Sequence, residues 1–158
     1  MFREMRRFKQ QLSMEESKSL LCCEPRGILS VHGDDDYPYG LPMDFCFDET
    51  RNCIYFHSAL EGHKIDAVKR NPKVSFCVFD SGYRKEGEWF LNIKSVIVFG
   101  KLHIVEDPER FTQMLRAIGQ KYYPAEHSVE DVINKYKANV QILELTIEHI
   151  SGKLVREK

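Results

Sequence analysis

The chain has 158 residues, 42% hydrophobic and 30% charged, with 23 Lys and Arg against 24 Asp and Glu for a formal net charge of −1. That balance excludes a polyanion as the main partner, since binding phosphates by counterion release demands a clustered positive excess. The composition also excludes a disordered or fibrous chain, and the length reads as one domain over 1–158 with a substantial core.

The basic lead MFREMRRFKQQL (1–12) has no apolar run long enough for a signal peptide, and no later segment reaches the ~18 apolar residues of a membrane span. Cys22, Cys23, Cys46, Cys53 and Cys77 are odd in number and show no Cys-X-X-Cys spacing, so no disulfide framework is expected. These features predict a soluble, cytoplasmic protein with a solvated N-terminal lead and no membrane or nucleic-acid partner. Ser13 stands three residues before Glu16, the capping-box arrangement, and predicts a helix from Met14 to Cys23 that stops before Pro25. Cys22 and Cys23, near its end, are expected to pack rather than react.

Four short segments rich in β-branched and aromatic residues then read as strands: Ile28 to Val31, Leu41 to Phe47, Ile54 to His57 and Val74 to Phe79. The second places Leu41, Met43, Phe45 and Phe47 on one face and Pro42, Asp44 and Cys46 on the other. Pro42 cannot donate to a ladder and predicts an edge or a bulge, which leaves the backbone of Met43 to Phe45 available to a ligand. Ile65 and Val68 mark a short helix before Pro72. After a loop with Gly82 and Gly87, EWFLNIKSVIVFGKLHIV is long enough for one bent strand or two, with a kink at Gly100. Asp107 and Pro108 open a helix with Phe111, Met114, Leu115 and Ile118 on one face, ending near Gly119. Ser128 caps another through Tyr136, and Leu143, Leu145 and Ile147 alternate in a last strand. About six strands in close succession, with few and peripheral helices, predict a mainly β fold, a small closed or split β-barrel with flanking helices.

There is no Gly-X-Gly-X-X-Gly, phosphate loop, His-Glu-X-X-His or nucleophile elbow, and no His and Cys pair has metal-ligand spacing. The stretch IYFHSALEGHK, Ile54 to Lys64, runs from a strand into a helix start carrying a hydroxyl, a glycine and a cation. That combination suits a phosphate: free amides and the positive helix end face the anion, Ser58 adds a hydrogen bond, Gly62 permits close approach and Lys64 supplies charge. An N-cap serine beside an exposed lysine would give the same sequence. His57 and His63 flank the turn, and either could bind a ligand or act as an acid near neutral pH. Asp44 lies on the polar side of its strand, and Tyr37, Tyr39, Phe45, Phe56 and Trp89 offer aromatic area to a flat ring, though most should be core.

Together YPYGLPMDF, IYFHSALEGHKIDAVKRNPKVSF, KSVIVFG and IEHISGK resemble the nitroimidazole-resistance (Nim-type) branch of the pyridoxamine 5′-phosphate oxidase-like flavoproteins, from about Arg26 to Lys153. The resemblance implies an FMN-binding split β-barrel homodimer with flavin at the subunit interface. Met43, Asp44 and Phe45 match the strand along the isoalloxazine. His57, Ser58, Ala59, Gly62, His63 and Lys64 match the turn around ring edge and phosphate, and Lys94, Ser95 and Val96 match the strand approaching from the partner subunit. Gly40 and the acidic Asp34-Asp35-Asp36 turn depart from the pattern. The implied activity is an FMN-dependent oxidoreductase, a reductase drawing on a reduced nicotinamide nucleotide or another donor and passing electrons to a small nitroaromatic acceptor; His57 is the candidate for proton delivery or substrate orientation. A pyridoxamine 5′-phosphate oxidase-like oxidase, or a non-catalytic flavin- or haem-binding protein, would use the same pocket.

Overall fold

The structure, a computed structural model, describes residues 2–123 and 128–156. Ser13 opens α1 (Met14–Cys23) by the reciprocal bonds its sequence predicts. The hydroxyl accepts from the Glu16 amide at 3.1 Å, and the Glu16 carboxylate accepts from the Ser13 amide at 3.0 Å.

Seven antiparallel strands follow: β1 (Arg26–His32), β2 (Pro38–Asp44), β3 (Cys46–Asp48), β4 (Cys53–Ala59), β5 (Lys73–Phe79), β6 (Asn92–Ile104) and β7 (Val140–Arg156), with α2 (His63–Arg70) between β4 and β5. Two helices, α3 (Pro108–Tyr122) and α4 (Val129–Tyr136), separate β6 from β7. The sheet order is β2-β1-β5-β6-β7-β4-β3. Its two outermost strands are therefore consecutive in the chain. β2 ends with Asp44 opposite Arg26, β3 begins with Cys46 opposite Tyr55, and Phe45 alone carries the backbone from one end of the sheet to the other.

This transfer curls the sheet into a half-barrel around a core that includes Leu29, Phe45, Phe56, Phe76, Val98 and Leu145, all fully buried. Phe45 and Phe56 each meet Phe76 edge to face, at centroid separations of 4.9 and 5.0 Å. The single strand expected over Leu41–Phe47 is thus two strands. The alternation of its inward side chains persists, but the hydrogen-bond partner changes at Phe45, and alternation alone carries no record of the partner. Pro42 lies, as expected, on an edge strand.

β6 is one strand with a register shift between Phe99 and Gly100. A Cβ at Gly100 would lie 2.1 Å from the Thr146 carbonyl oxygen, so only glycine lets β7 approach there. β7 runs far beyond Leu143–Ile147, because past the bulge it continues along the first half of β6 without a regular alternation of buried and exposed residues. α3 extends past Gly119 to Tyr122 and packs Met114 and Ile118 on Cys53, Tyr55 and Ile142 on the sheet's outer side. Arg110 fixes it there, donating to the Tyr55 hydroxyl at 3.0 Å and pairing with Glu144. Cys22 and Cys23 are exposed rather than packed, although partial burial pushes the Cys22 thiol above its ordinary pKa and keeps it protonated. No helix among the described residues is long and apolar enough to cross a membrane.

Candidate functional site

β3 pairs with β4 only from Cys53 to Tyr55, and β2 pairs only with β1. Beyond Tyr55 the free edge of β4 faces the free edge of β2 with no ladder between them. The gap is a cleft of about 330 Å³ lined by Pro42, Met43, Asp44, His57, Ser58, Ala59 and Lys64. Two segments separated in sequence, 42–44 and 57–64, are brought together by the transfer at Phe45.

Lys64 is half-buried in this cleft and makes no hydrogen bond or ion pair among the described residues. Burial holds its ammonium below the usual lysine pKa, because the charge is partly stripped of water and nothing opposite compensates it. α2 starts at His63 with Gly62 as its cap residue, so Ser58 is no N-cap: it lies within β4, four residues upstream. Gly62 adopts φ 128° and ψ 170°, a conformation natural to glycine alone, and no side chain among the described residues caps the helix. The first helical amides, of His63 and Lys64, have no acceptor among the described residues.

Other predicted residues are placed differently. Ser58 is buried and donates its hydroxyl proton to the Ala59 carbonyl at 3.0 Å, an acceptor shared with the Gln141 amide at 2.8 Å. His63 turns away from the cleft, stacking on Tyr39 at 4.2 Å with Nε2 at 3.5 Å from Asp34, which Arg70 also holds at 2.6 Å. His57 projects from the outer face of β4 into the cleft. Asp44 is held by Arg26 at 2.6 Å, a partner that nothing in its sequence spacing signals.

The expectation of a free backbone at Met43–Phe45 is corrected at Phe45. Its amide donates to the Tyr122 hydroxyl at 2.8 Å, and its carbonyl accepts from that hydroxyl at 2.6 Å and from Lys121 Nζ at 3.0 Å. The transfer residue cannot join either ladder, so the end of α3 supplies its partners. Burial raises the Tyr122 phenol to about 12, which keeps it a proton donor. The aromatic residues do not line the cleft: Phe45 and Phe56 are buried in the core, Tyr39 stacks on His63, and Tyr37 and Trp89 are exposed.

Lys94, Ser95 and Val96 lie on β6, in the middle of the sheet and away from the cleft of the same chain. Val96 is fully buried, Lys94 pairs with Glu16 at 3.5 Å, and Ser95 lies on the outer face. Among the described residues no group of three or more His, Cys, Asp or Glu side chains could hold a metal ion. A second cavity of about 250 Å³, between β4 and the pair α3 and α4, shares Asp44 and His57 with the cleft.

Comparison with known proteins agrees with this architecture. The sequence profile described as pyridoxamine 5′-phosphate oxidase matches residues 13–154. A candidate 5-nitroimidazole antibiotic resistance protein of Bacteroides thetaiotaomicron superposes with a TM-score of 0.78 at 20% identity, covering 92% of this chain and 87% of that one. A FAD-binding protein of Mycobacterium smegmatis gives 0.68 at 21% identity, over 94% and 99% of the two chains. A flavocytochrome of Azotobacter vinelandii gives 0.70 at 17%, over 96% and 72%. No curated protein matches the sequence.

Proposed function

The chain belongs to the pyridoxamine 5′-phosphate oxidase family, and from that premise we propose that it is an FMN-dependent reductase of small nitroaromatic acceptors, active as a homodimer. The observation that carries the reading is Lys64, a half-buried ammonium without a counter-charge, in a cleft between two strand edges. A phosphate monoester supplies the missing charge, and the unpaired amides of His63 and Lys64 point the helix start at it. Lys64 is the one cation among the described residues lining the cleft, which favours a monophosphate over a dinucleotide. It also disfavours a phosphorylated amine substrate, which would need a second phosphate site.

Bound FMN would supply two-electron transfer between a hydride donor and an acceptor. The chain's own residues bind and orient. Lys64 and the α2 amides hold the phosphate, and the edge of β2 at Pro42–Asp44 flanks the ring. His57, between cleft and cavity, delivers a proton from a ring nitrogen to the acceptor. In the balanced cycle a reduced nicotinamide nucleotide gives up two electrons and a proton. The acceptor takes two electrons and two protons, the second proton drawn from solvent through His57, passing from nitro to nitroso with release of water.

The homodimer is supported by the outer face of the sheet. Pairing aligns Pro42, Ile28, Cys77, Ile97 and Ser151 in one row and Gly40, Ser30, Ser75, Phe99 and His149 in the next, with no acidic or lysine or arginine side chain in either. Ile97 and Phe99 are 40% and 38% exposed in the single chain. Pro42 belongs to both this face and the cleft, so a copy seated there would wall the cleft and bring Ser95 towards it. Anaerobic mixing with a reduced nicotinamide nucleotide tests the function. The proposal expects flavin bleaching, recovery on adding a nitroaromatic, and parallel-line kinetics; an intersecting pattern contradicts it.

A further inference from the structure

The cavity between β4 and the pair α3 and α4 is not part of the anion-ready cleft, yet the two meet at Asp44 and His57. Its other walls are largely apolar: Leu115 and Ile118 from α3, Val132 and Ile133 from α4. Tyr123 and Tyr136, both exposed, also line it, but three of its polar groups are already engaged. Asp44 is held by Arg26, the Tyr122 hydroxyl by Phe45, and Lys137, the one lysine or arginine in the lining among the described residues, is bonded to Asn134 at 3.3 Å. A largely apolar chamber ending in one imidazole and an ion-paired carboxylate does not suit a polyphosphate or a dinucleotide. Its size points the same way. A dry aliphatic cavity of ~150 Å³ is enough for benzene, so about 250 Å³ takes one substituted ring and not a dinucleotide.

We propose that this cavity receives the electron acceptor as an uncharged, substituted, single-ring aromatic, its polar substituent at His57, and that Val132 on α4 sets the size limit. The substrate role rests on the flavin-reductase reading above; the ring-binding site itself does not. The two ligands would then reach the same imidazole from opposite sides, the cofactor along the β2 and β4 edges and the acceptor from beneath the helices. Nicotinamide nucleotides, with their charged diphosphate, would be excluded from the cavity and would approach from the open cleft side.

The test uses flavin-loaded protein and two probes, 4-nitrobenzyl alcohol and its nitro-free counterpart benzyl alcohol. Binding is measured by calorimetry and ligand-observed NMR, and reoxidation of the reduced protein is followed separately with 4-nitrobenzyl alcohol and with ferricyanide. Val132→Trp fills the cavity from a half-exposed position. It should weaken both alcohols by ~10-fold or more and slow nitro-dependent reoxidation to a similar degree. The flavin spectrum and ferricyanide rate should stay as in the parent. Val132→Ala, which cannot fail by overpacking, should keep benzyl alcohol and bind 2-naphthalenemethanol roughly 3-fold or more tighter than the parent does. Equal binding of the alcohols by the parent and Val132→Trp would overturn the proposal, as would no binding by the parent at millimolar concentration. Ring binding that is lost in Val132→Trp, without any electron transfer to the nitro group, would uphold the site and sink the reductase reading.

Discussion

Replacing Lys64 by alanine removes the one cation lining the described cleft. A hydrogen bond to a charged group contributes about 1.5–3 kcal/mol, which corresponds to a loss of roughly 10- to 150-fold in affinity. Titration of flavin-stripped protein by fluorescence quenching should show that loss with FMN and almost none with riboflavin, which lacks the phosphate. A pH series adds a second signature. The free Lys64 lies below its usual pKa, and a bound phosphate raises it again. FMN affinity is therefore full below the free-state pKa and falls as pH climbs through it, whereas the alanine variant lacks this limb. The same shift has a stability consequence of opposite sign. In the ligand-free protein the partly desolvated ammonium opposes folding at neutral pH, an effect that fades as pH rises through the lowered pKa towards the unfolded value. Lys64→Met should accordingly be no less stable than the parent without flavin and gain less from adding it. Identical FMN and riboflavin affinities in parent and variant would refute the reasoning.

Three further outcomes follow from other residues. Gly62→Ala forces an L residue into φ 128°, so thermal denaturation should show a loss of about 1–3 kcal/mol, accompanied by weaker FMN binding as the helix start shifts. Tyr122→Phe leaves the Phe45 amide without its acceptor, and chemical denaturation should report a loss of about 1–3 kcal/mol with the slope unchanged. Phe99→Asp places a charge in the uncharged face; gel filtration should show the variant smaller than the parent, and an unchanged elution volume would count against that face as the dimer contact.

Much of the fold was legible because its signals are local. Ser13 with Glu16, Asp107 with Pro108 and the glycine at position 100 act within a few residues, and each has the structural consequence its chemistry dictates. What escaped is long-range. Nothing near Phe45 announces that Tyr122, 77 residues away, will bind its backbone, or that β2 and β3 will end on opposite edges of the sheet. For the site, the motif IYFHSALEGHK located one wall and Pro42 signalled the other, because a proline in an alternating run marks an edge. The direction of each side chain was less accessible. His57 and His63 look equivalent in sequence, but the first stands on the exposed parity of β4 and lines the cleft, while the second opens α2 and stacks on Tyr39. The cavity beneath α3 and α4 had no sequence signal beyond ordinary amphipathic helices, whose apolar residues serve a pocket and a core alike.

The most direct measurement of the central claim is the absorption spectrum of the freshly purified protein, recorded again after incubation with FMN and desalting. Two bands in the near-ultraviolet and blue, retained through desalting at close to one flavin per chain, are the predicted result. A colourless protein that releases all added FMN would contradict the assignment of the cleft between β2 and β4.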